Sequence, residues 1–219
     1  MRVLTWNLFH GRAKPSAGRP LPSEFAGALA GWEWDVALLQ EVPPWWPPML
    51  AVAAGASERA VLTSRNQLLP LRRAIASRAP DLLKANGGGS NAVLVRRSEV
   101  REHRERRLRR CPERRMVHGV RLAGGVWVVN VHSQNQPEAL ARRDTRAAAA
   151  TALEWAAGAP LVFGGDVNLE RPEIAGLRHL AGNHVDHLFS SGPPAEGRGA
   201  VLERGTLSDH PPVAVTVSV

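Results

Sequence analysis

RMVHGVRLAGGVWVVNVHSQNQPEALARRDTRAAAATALEWAAGAPLVFGGDVN, residues 115–168, carries the strongest structural signal in the chain. Residues 115–122 and 126–132 read as two strands, with Gly124-Gly125 as the tight turn between them. A helix is predicted over Pro137–Ala157, because proline suits the first helical position and Gly158 the position after the last. Leu161–Gly164 is then a short apolar run of buried-strand type. Upstream, NAVLVR (Asn91–Arg96) and residues 99–108 add strands, preceded by a predicted turn at Ala85–Ser90. Nearer the start, Arg2–Leu8 and Asp35–Gln40 read as strands, the second stopped by Pro43-Pro44. Between them Ser23 is the expected cap of a helix reaching about Trp34, with Phe25, Leu29 and Trp32 on one face. Trp45–Ala54 is a short helix candidate and 57–64 a strand; His184–Ser190 and Pro212–Val219 complete the set. Many strands, few helices and short turns predict an α/β fold: two packed β-sheets flanked by helices, in one domain over residues 1–219.

Composition narrows the function classes. A chain of 219 residues with 44% hydrophobic content can bury one sizeable core. Its one cysteine, Cys111, cannot form an internal disulfide and is read as an incidental thiol. No apolar leader is visible and no apolar run is long enough to span a bilayer, so the expectation is a cytoplasmic protein without a transmembrane segment. A formal charge of +8 favours a polyanionic partner. Residues 96–115 hold ten arginines against four glutamates, six of the eight net charges. That run reads either as phosphate contacts or as a solvated, charged strand pair.

Polar groups recur where apolar strands end. Asn7 follows VLTW, Glu41 follows VALLQ, His132 closes VWVVNV, Asp166 and Asn168 follow PLVFGG, and Asp209-His210 precede PPVAVTV. A strand end lets a rigid sheet hold a side chain at a cleft. Glu41, Asp209 and Asn7 offer the carboxylate and amide oxygens that a hard divalent cation takes. His132 and His210 titrate near neutral pH and suit proton transfer. Such a set fits hydrolysis of a phosphate ester.

TWNL (Thr5–Leu8), LLQEV (Leu38–Val42), VNVHS (Val129–Ser133), GGDVN (Gly164–Asn168), VDHLF (Val185–Phe189) and LSDHPPV (Leu207–Val213) resemble, in order and spacing, the motifs of the endonuclease/exonuclease/phosphatase superfamily. The resemblance implies a four-layer α/β sandwich and a Mg²⁺- or Mn²⁺-dependent phosphoesterase. Under it Glu41 is the main metal ligand, helped by Asn7 and Asp209. Asp166 orients or deprotonates the attacking water, Asn168 hydrogen-bonds the scissile phosphate, and His210 is base or phosphate ligand oriented by Asp186. His132 bonds the phosphate or assists the leaving group. Arg115 resembles a family arginine facing the phosphate, with Arg114 leaving the register open.

The departures also inform. The chain has no tyrosine, which argues against the abasic-site branch. Leu8-Phe9-His10 follow Asn7 where that branch places a second acid or amide. The glutamate that orients the first histidine in deoxyribonuclease I has no obvious counterpart; Asp81 is the candidate. His187 reads as structural, and His10 and His118 as surface or core histidines. Trp45-Trp46 between prolines read mainly as core or shelf, with a substrate or membrane-contact lip as the alternative. The expected substrate is nucleic acid, cut as a phosphodiester by a monomer. The alternatives are a phospholipid, an inositol phosphate or another small phosphoester, and a catalytically inactive nucleic-acid-binding protein.

Overall fold

The computed structural model describes residues 1–64, 66–83, 89–192 and 197–218. Twelve strands form two six-stranded sheets. The first contains β1 (Arg2–Asn7), β2 (Val36–Val42), β3 (Ser57–Leu62), β4 (Ser90–Val95), β11 (Ala200–Val201) and β12 (Val213–Thr216), in the order β11-β12-β1-β2-β4-β3. The second contains β5 (Val100–Arg109), β6 (Arg115–Leu122), β7 (Trp127–His132), β8 (Leu161–Asp166), β9 (Arg178–Asn183) and β10 (Asp186–Ser190), in the order β5-β6-β7-β8-β10-β9. Each sheet is mixed, with one parallel pair at its centre: β1 with β2, and β7 with β8.

Period-two alternation builds the layers. Along β1, Leu4 and Trp6 turn outward to Phe25 and Leu29 of α1 (Pro22–Gly31) and Leu50 of α2 (Pro47–Ala54). Val3, just before Leu4, points inward with Val36, Leu38, Val93 and Val215, and meets Val120, Val128, Val162 and Leu188 of the other sheet. Beyond that sheet, Val129, Val131, Leu161 and Phe163 pack on Ala141, Ala148, Ala152 and Trp155 of α5 (Glu138–Ala156). The result is helix, sheet, sheet, helix: the expected four-layer sandwich. Burying each of the largest apolar side chains contributes roughly 1.5–3 kcal/mol.

One buried polar bridge ties the sheets. Gln40 Nε2 donates to Asn130 Oδ1 at 2.8 Å, and Asn130 Nδ2 donates to the Leu39 and Ala92 carbonyls. These three bonds cross the interface, so they constrain how the sheets stack.

Several expectations need correction. Ser23 does not cap α1; Pro22 occupies the first turn, Leu21 is the cap residue, and no side chain caps the end. Proline removes one of the orphan N–H groups that a capping side chain would otherwise satisfy. The helix also stops at Gly31, short of Trp34, whose indole N–H donates to the Leu29 carbonyl from outside it. The sequence pattern did not reveal α3 (Leu69–Ala76), α4 (Pro80–Leu83), β9 or β11. Neither α3 nor α4 buries a residue, and β9 buries only Ala181. Of the predicted turn at Ala85–Ser90, residues 85–88 lie outside the described residues, and Ser90 belongs to β4.

The arginine-rich run forms edge strand β5 and the loop after it. Arg101 pairs with Glu99, Arg104 with Glu102, Arg106 with Glu154 and Arg109 with Asp144. Charge along an edge also discourages pairing with other chains. No helix among the described residues is long and apolar enough to cross a membrane.

Candidate active site

One end of the sandwich gathers the polar strand termini. The parallel pairs bring the C-terminal ends of β1, β2, β7 and β8 to the same edge, which delivers Asn7, Glu41, His132 and Asp166. Antiparallel β10 begins there, with Asp186 opposite Asp166. The loop before β12 adds His210, whose backbone carbonyl accepts the Trp6 indole N–H at 3.0 Å.

Local backbone geometry aims each group. Glu41 sits where the β2–β4 register slips between Leu39 and Val42, with φ of 49°. Asp166 depends on Gly165, whose φ is 133° and whose added Cβ would lie 2.0 Å from the Val131 carbonyl oxygen. Only glycine lets β7 and β8 approach so closely at that point. Phe9, His10, Asn168 and Ser208 also have positive φ. Non-glycine residues in this region are costly, and their clustering marks a site whose surroundings over-determine it. Ser208 Oγ donates to the Asn7 carbonyl at 2.7 Å and accepts the His210 backbone N–H at 3.0 Å, joining the first strand to the last loop.

The side chains form one continuous network. Asn7 Nδ2 donates to Asp166 Oδ2 at 2.9 Å. His132 Nε2 lies 3.5 Å from Asp166 Oδ2 and 3.8 Å from Glu41 Oε1. His210 Nδ1 lies 2.7 Å from Asp186 Oδ2 and 4.0 Å from Asp166 Oδ2. Asn168 donates its backbone N–H to Asp166 Oδ1 and its amide to the Ser133 carbonyl, both at 3.0 Å. Arg115, buried, reaches Glu113 and Gln134. Glu41, Arg115, His132, Asp166, Asn168 and His210 line one cavity of about 180 Å³.

Burial sets the charges. It pushes Asp166 up to about 7, reinforced by Asp186 and Glu41 against the pull of His210 and Asn7. Burial also pushes Asp186 above the usual carboxylate range, against the hydrogen bond from His210. His210 would be driven down by burial, but the bond and charge of Asp186, with Asp166 and Asp209, raise it to about 9. His132 is held well below its ordinary value by burial and by Arg115, His210 and His10. At neutral pH the site therefore holds a neutral His132 and a cationic His210.

The structure brings Asn7, Glu41, Arg115, His132, Asp166, Asn168, Asp186 and His210 together. Arg115, not exposed Arg114, faces the cavity. Asp209 stands at the edge, its Oδ1 3.7 Å from His210 Nε2, and does not line the cavity. Asp81 is a correction: it bonds Ser16 on the exterior, far from any role in orienting His132. His187 is structural as expected, its Nε2 bonding the Leu169 and His184 carbonyls. His118 is a fully buried core residue facing His103. His10, expected to be surface or core, instead lines the cavity with Nε2 3.0 Å from Glu41 Oε2. Its signal was its position just past the Asn7 strand end, where a chain turn folds it back.

The donor set suits a hard divalent cation. Four carboxylates (Glu41, Asp166, Asp186, Asp209) converge, and Oδ1 of Asp186 and of Asp209 are buried without a hydrogen-bond partner. Ligand atoms of Asp166, Asp186 and His210 lie within 4.8 Å of one another. Oxygen-rich, negatively charged clusters of this type bind Mg²⁺ or Mn²⁺ in preference to softer ions.

Fold and site together define a phosphoesterase of the two-sheet sandwich class. The chain belongs to the Endonuclease/Exonuclease/phosphatase family, whose profile matches residues 4–210. Solved structures agree on the fold. A mannosyl-6-phosphatase of Bacteroides thetaiotaomicron superposes with a TM-score of 0.74 at 16% identity, covering 100% of both chains. An endonuclease/exonuclease/phosphatase protein of Beutenbergia cavernae gives 0.74 at 21% identity, over 98% of this chain and 70% of its own. TDP2 of Caenorhabditis elegans gives 0.69 at 16% identity, over 98% and 73%. Among the curated proteins no match was found.

Proposed function

We propose that this chain is a Mg²⁺- or Mn²⁺-dependent phosphodiesterase acting on nucleic acid. The carrying observation is the convergence of Glu41, His132, Asp166, His210 and buried Arg115 on one cavity of about 180 Å³, room enough for a phosphate group. Glu41, with Asn7 and Asp209 assisting, would hold the metal, which when bound would offset charge on the phosphoryl oxygens.

The chain's own residues do the rest. Asp166, poised near neutrality, orients the attacking water and takes its proton. Asp186 keeps His210 protonated, so His210 binds a phosphate oxygen as a cation. Asn168, anchored on Ser133 and Asp166, has one amide N–H left to donate to a phosphate oxygen. Neutral His132 hydrogen-bonds the phosphate and assists the departing oxygen. Arg115, which also lines the cavity, pairs with the phosphate.

Arg107, Arg110 and Arg114, exposed on the segment that runs into Arg115, support a polyanionic substrate. A second reading, a small phosphoester, is supported by the compactness of the cavity. The test compares nicking of supercoiled plasmid with turnover of sugar phosphates, inositol phosphates and phospholipids, each with Mg²⁺, with Mn²⁺ and in EDTA. Plasmid cutting that requires the metal is expected. Turnover confined to a small ester would replace the substrate assignment. DNA binding without release of product or phosphate would remove the catalytic one.

A further inference from the structure

A second cavity, of about 350 Å³, lies beside the catalytic one, and His10 lines both. Its character is opposite. Pro43, Trp45, Trp46 and Met49 form one wall, and Ala76 and Pro80 face them from α3 and α4. Its volume falls in the range of small-ligand sites, which are mostly apolar with a few polar groups at one end. Here the polar end is the phosphate cavity.

The wall is rigid. Gly11 follows His10 with φ of 76°, and a Cβ there would lie 2.3 Å from the Trp46 ring. Trp46 also packs on Phe25 at 5.5 Å between ring centroids. The turn that carries His10 and the indole that walls the cleft are therefore locked together. Indole and pyrrolidine faces are flat and have few rotamers, so they match a flat ring at low entropic cost. A flexible chain would lose more freedom on entering.

We propose that this cleft receives an aromatic ring carried by an alcohol of the phosphoester, held next to the reacting phosphate and separated from it by His10. The inference rests on the phosphoesterase reading and adds the chemistry of the group beyond the ester oxygen. A nucleobase is one such ring, as is a simple aryl group. An alkyl chain is the competing occupant.

The experiment uses three methyl phosphodiesters whose second ester group is 2-naphthylmethyl, hexyl or methyl, each attached through a saturated carbon. Turnover with Mn²⁺ and calorimetric binding are measured for each. We expect kcat/KM and affinity for the naphthylmethyl ester to exceed those for the methyl ester by about tenfold or more. Trp45→Ala and Met49→Ala should bring that ratio close to one. Val52→Ala, on the exposed side of α2, should leave it intact. Circular dichroism and thermal melting establish that each variant is folded. Equal handling of the naphthylmethyl and methyl esters by the wild type overturns the proposal, and so does a hexyl preference. A ratio unmoved by both cleft variants does the same. If no ester is turned over but the naphthylmethyl ester still binds selectively through Trp45, the catalytic reading fails and the cleft assignment stands.

Discussion

Asp186→Asn removes one charge from the site while keeping the side chain's shape. His210 is raised to about 9 because the Asp186 hydrogen bond and charge, with Asp166 and Asp209, outweigh burial, which alone would lower it. Without the Asp186 charge, burial regains the upper hand and His210 should fall toward its ordinary value near 6.5. At roughly 1.4 kcal/mol per pH unit, that fall is worth about 3 kcal/mol of preference for the imidazolium form. The linkage sign follows from a folded pKa above the unfolded one. The stabilisation is fully present below pH of about 6.5 and is lost as pH rises through about 9 in the wild type; the variant should lack that alkaline loss. The assay is NMR titration of the histidine rings in metal-free protein, with His210→Gln assigning the resonance. In the same variant kcat at neutral pH should drop by about 10²–10⁴-fold, the usual effect of losing a tuned proton-transfer or charge-stabilising group. A His210 ring that still titrates above pH 8 in Asp186→Asn would refute the reasoning, because some other group would then be holding the proton.

Removing divalent ions with EDTA should abolish turnover and Mg²⁺ or Mn²⁺ should restore it, while Glu41→Gln should lower kcat by orders of magnitude with an unchanged melting curve; activity in chelator equal to that in Mg²⁺ would end the metal assignment. Gly165→Ala forces a Cβ to 2.0 Å from the Val131 carbonyl at φ of 133°, and should destabilise the protein by about 3 kcal/mol or more; urea unfolding that moved by only a few tenths would show that β7 and β8 can simply part. His118 is pushed down to about 3 by burial and its neighbour His103. Its folded value lies below the unfolded one, so its contribution is present above pH of about 6.5 and drains away as pH falls; His118→Gln should lessen the stability lost between pH 6.5 and 4.5 by about 2–3 kcal/mol, and identical acid sensitivity in both proteins would count against a neutral buried imidazole.

Much of this architecture was readable residue by residue. The strand pair 115–122 and 126–132 with its Gly124-Gly125 turn, the proline and glycine that frame α5, and the apolar runs at Val36 and Leu161 each state a local preference that tertiary packing then satisfies. Elements without a fully buried residue escaped: α3 and α4 are short and bury none, and β9 is an edge strand whose pairing with β10, not its composition, makes it extended. Ser23 looked like a cap because serine is a good one, yet Pro22 already met the need.

The site divides in the same way. Residue types and their placement at strand ends are properties of the linear chain, since hard oxygen donors and imidazoles keep their chemistry wherever they sit. Distances and charges are not. That His10 turns back onto Glu41, that Arg115 and not Arg114 faces the cavity, and that Asp209 stays at its edge follow from a register slip, a strand's two-residue period and a loop tied down by Ser208. The pKa values near 7 for Asp166 and 9 for His210 arise from burial beside particular neighbours. Those neighbours come from strands far apart in sequence, and no local pattern records how two sheets will stack to bring them within reach.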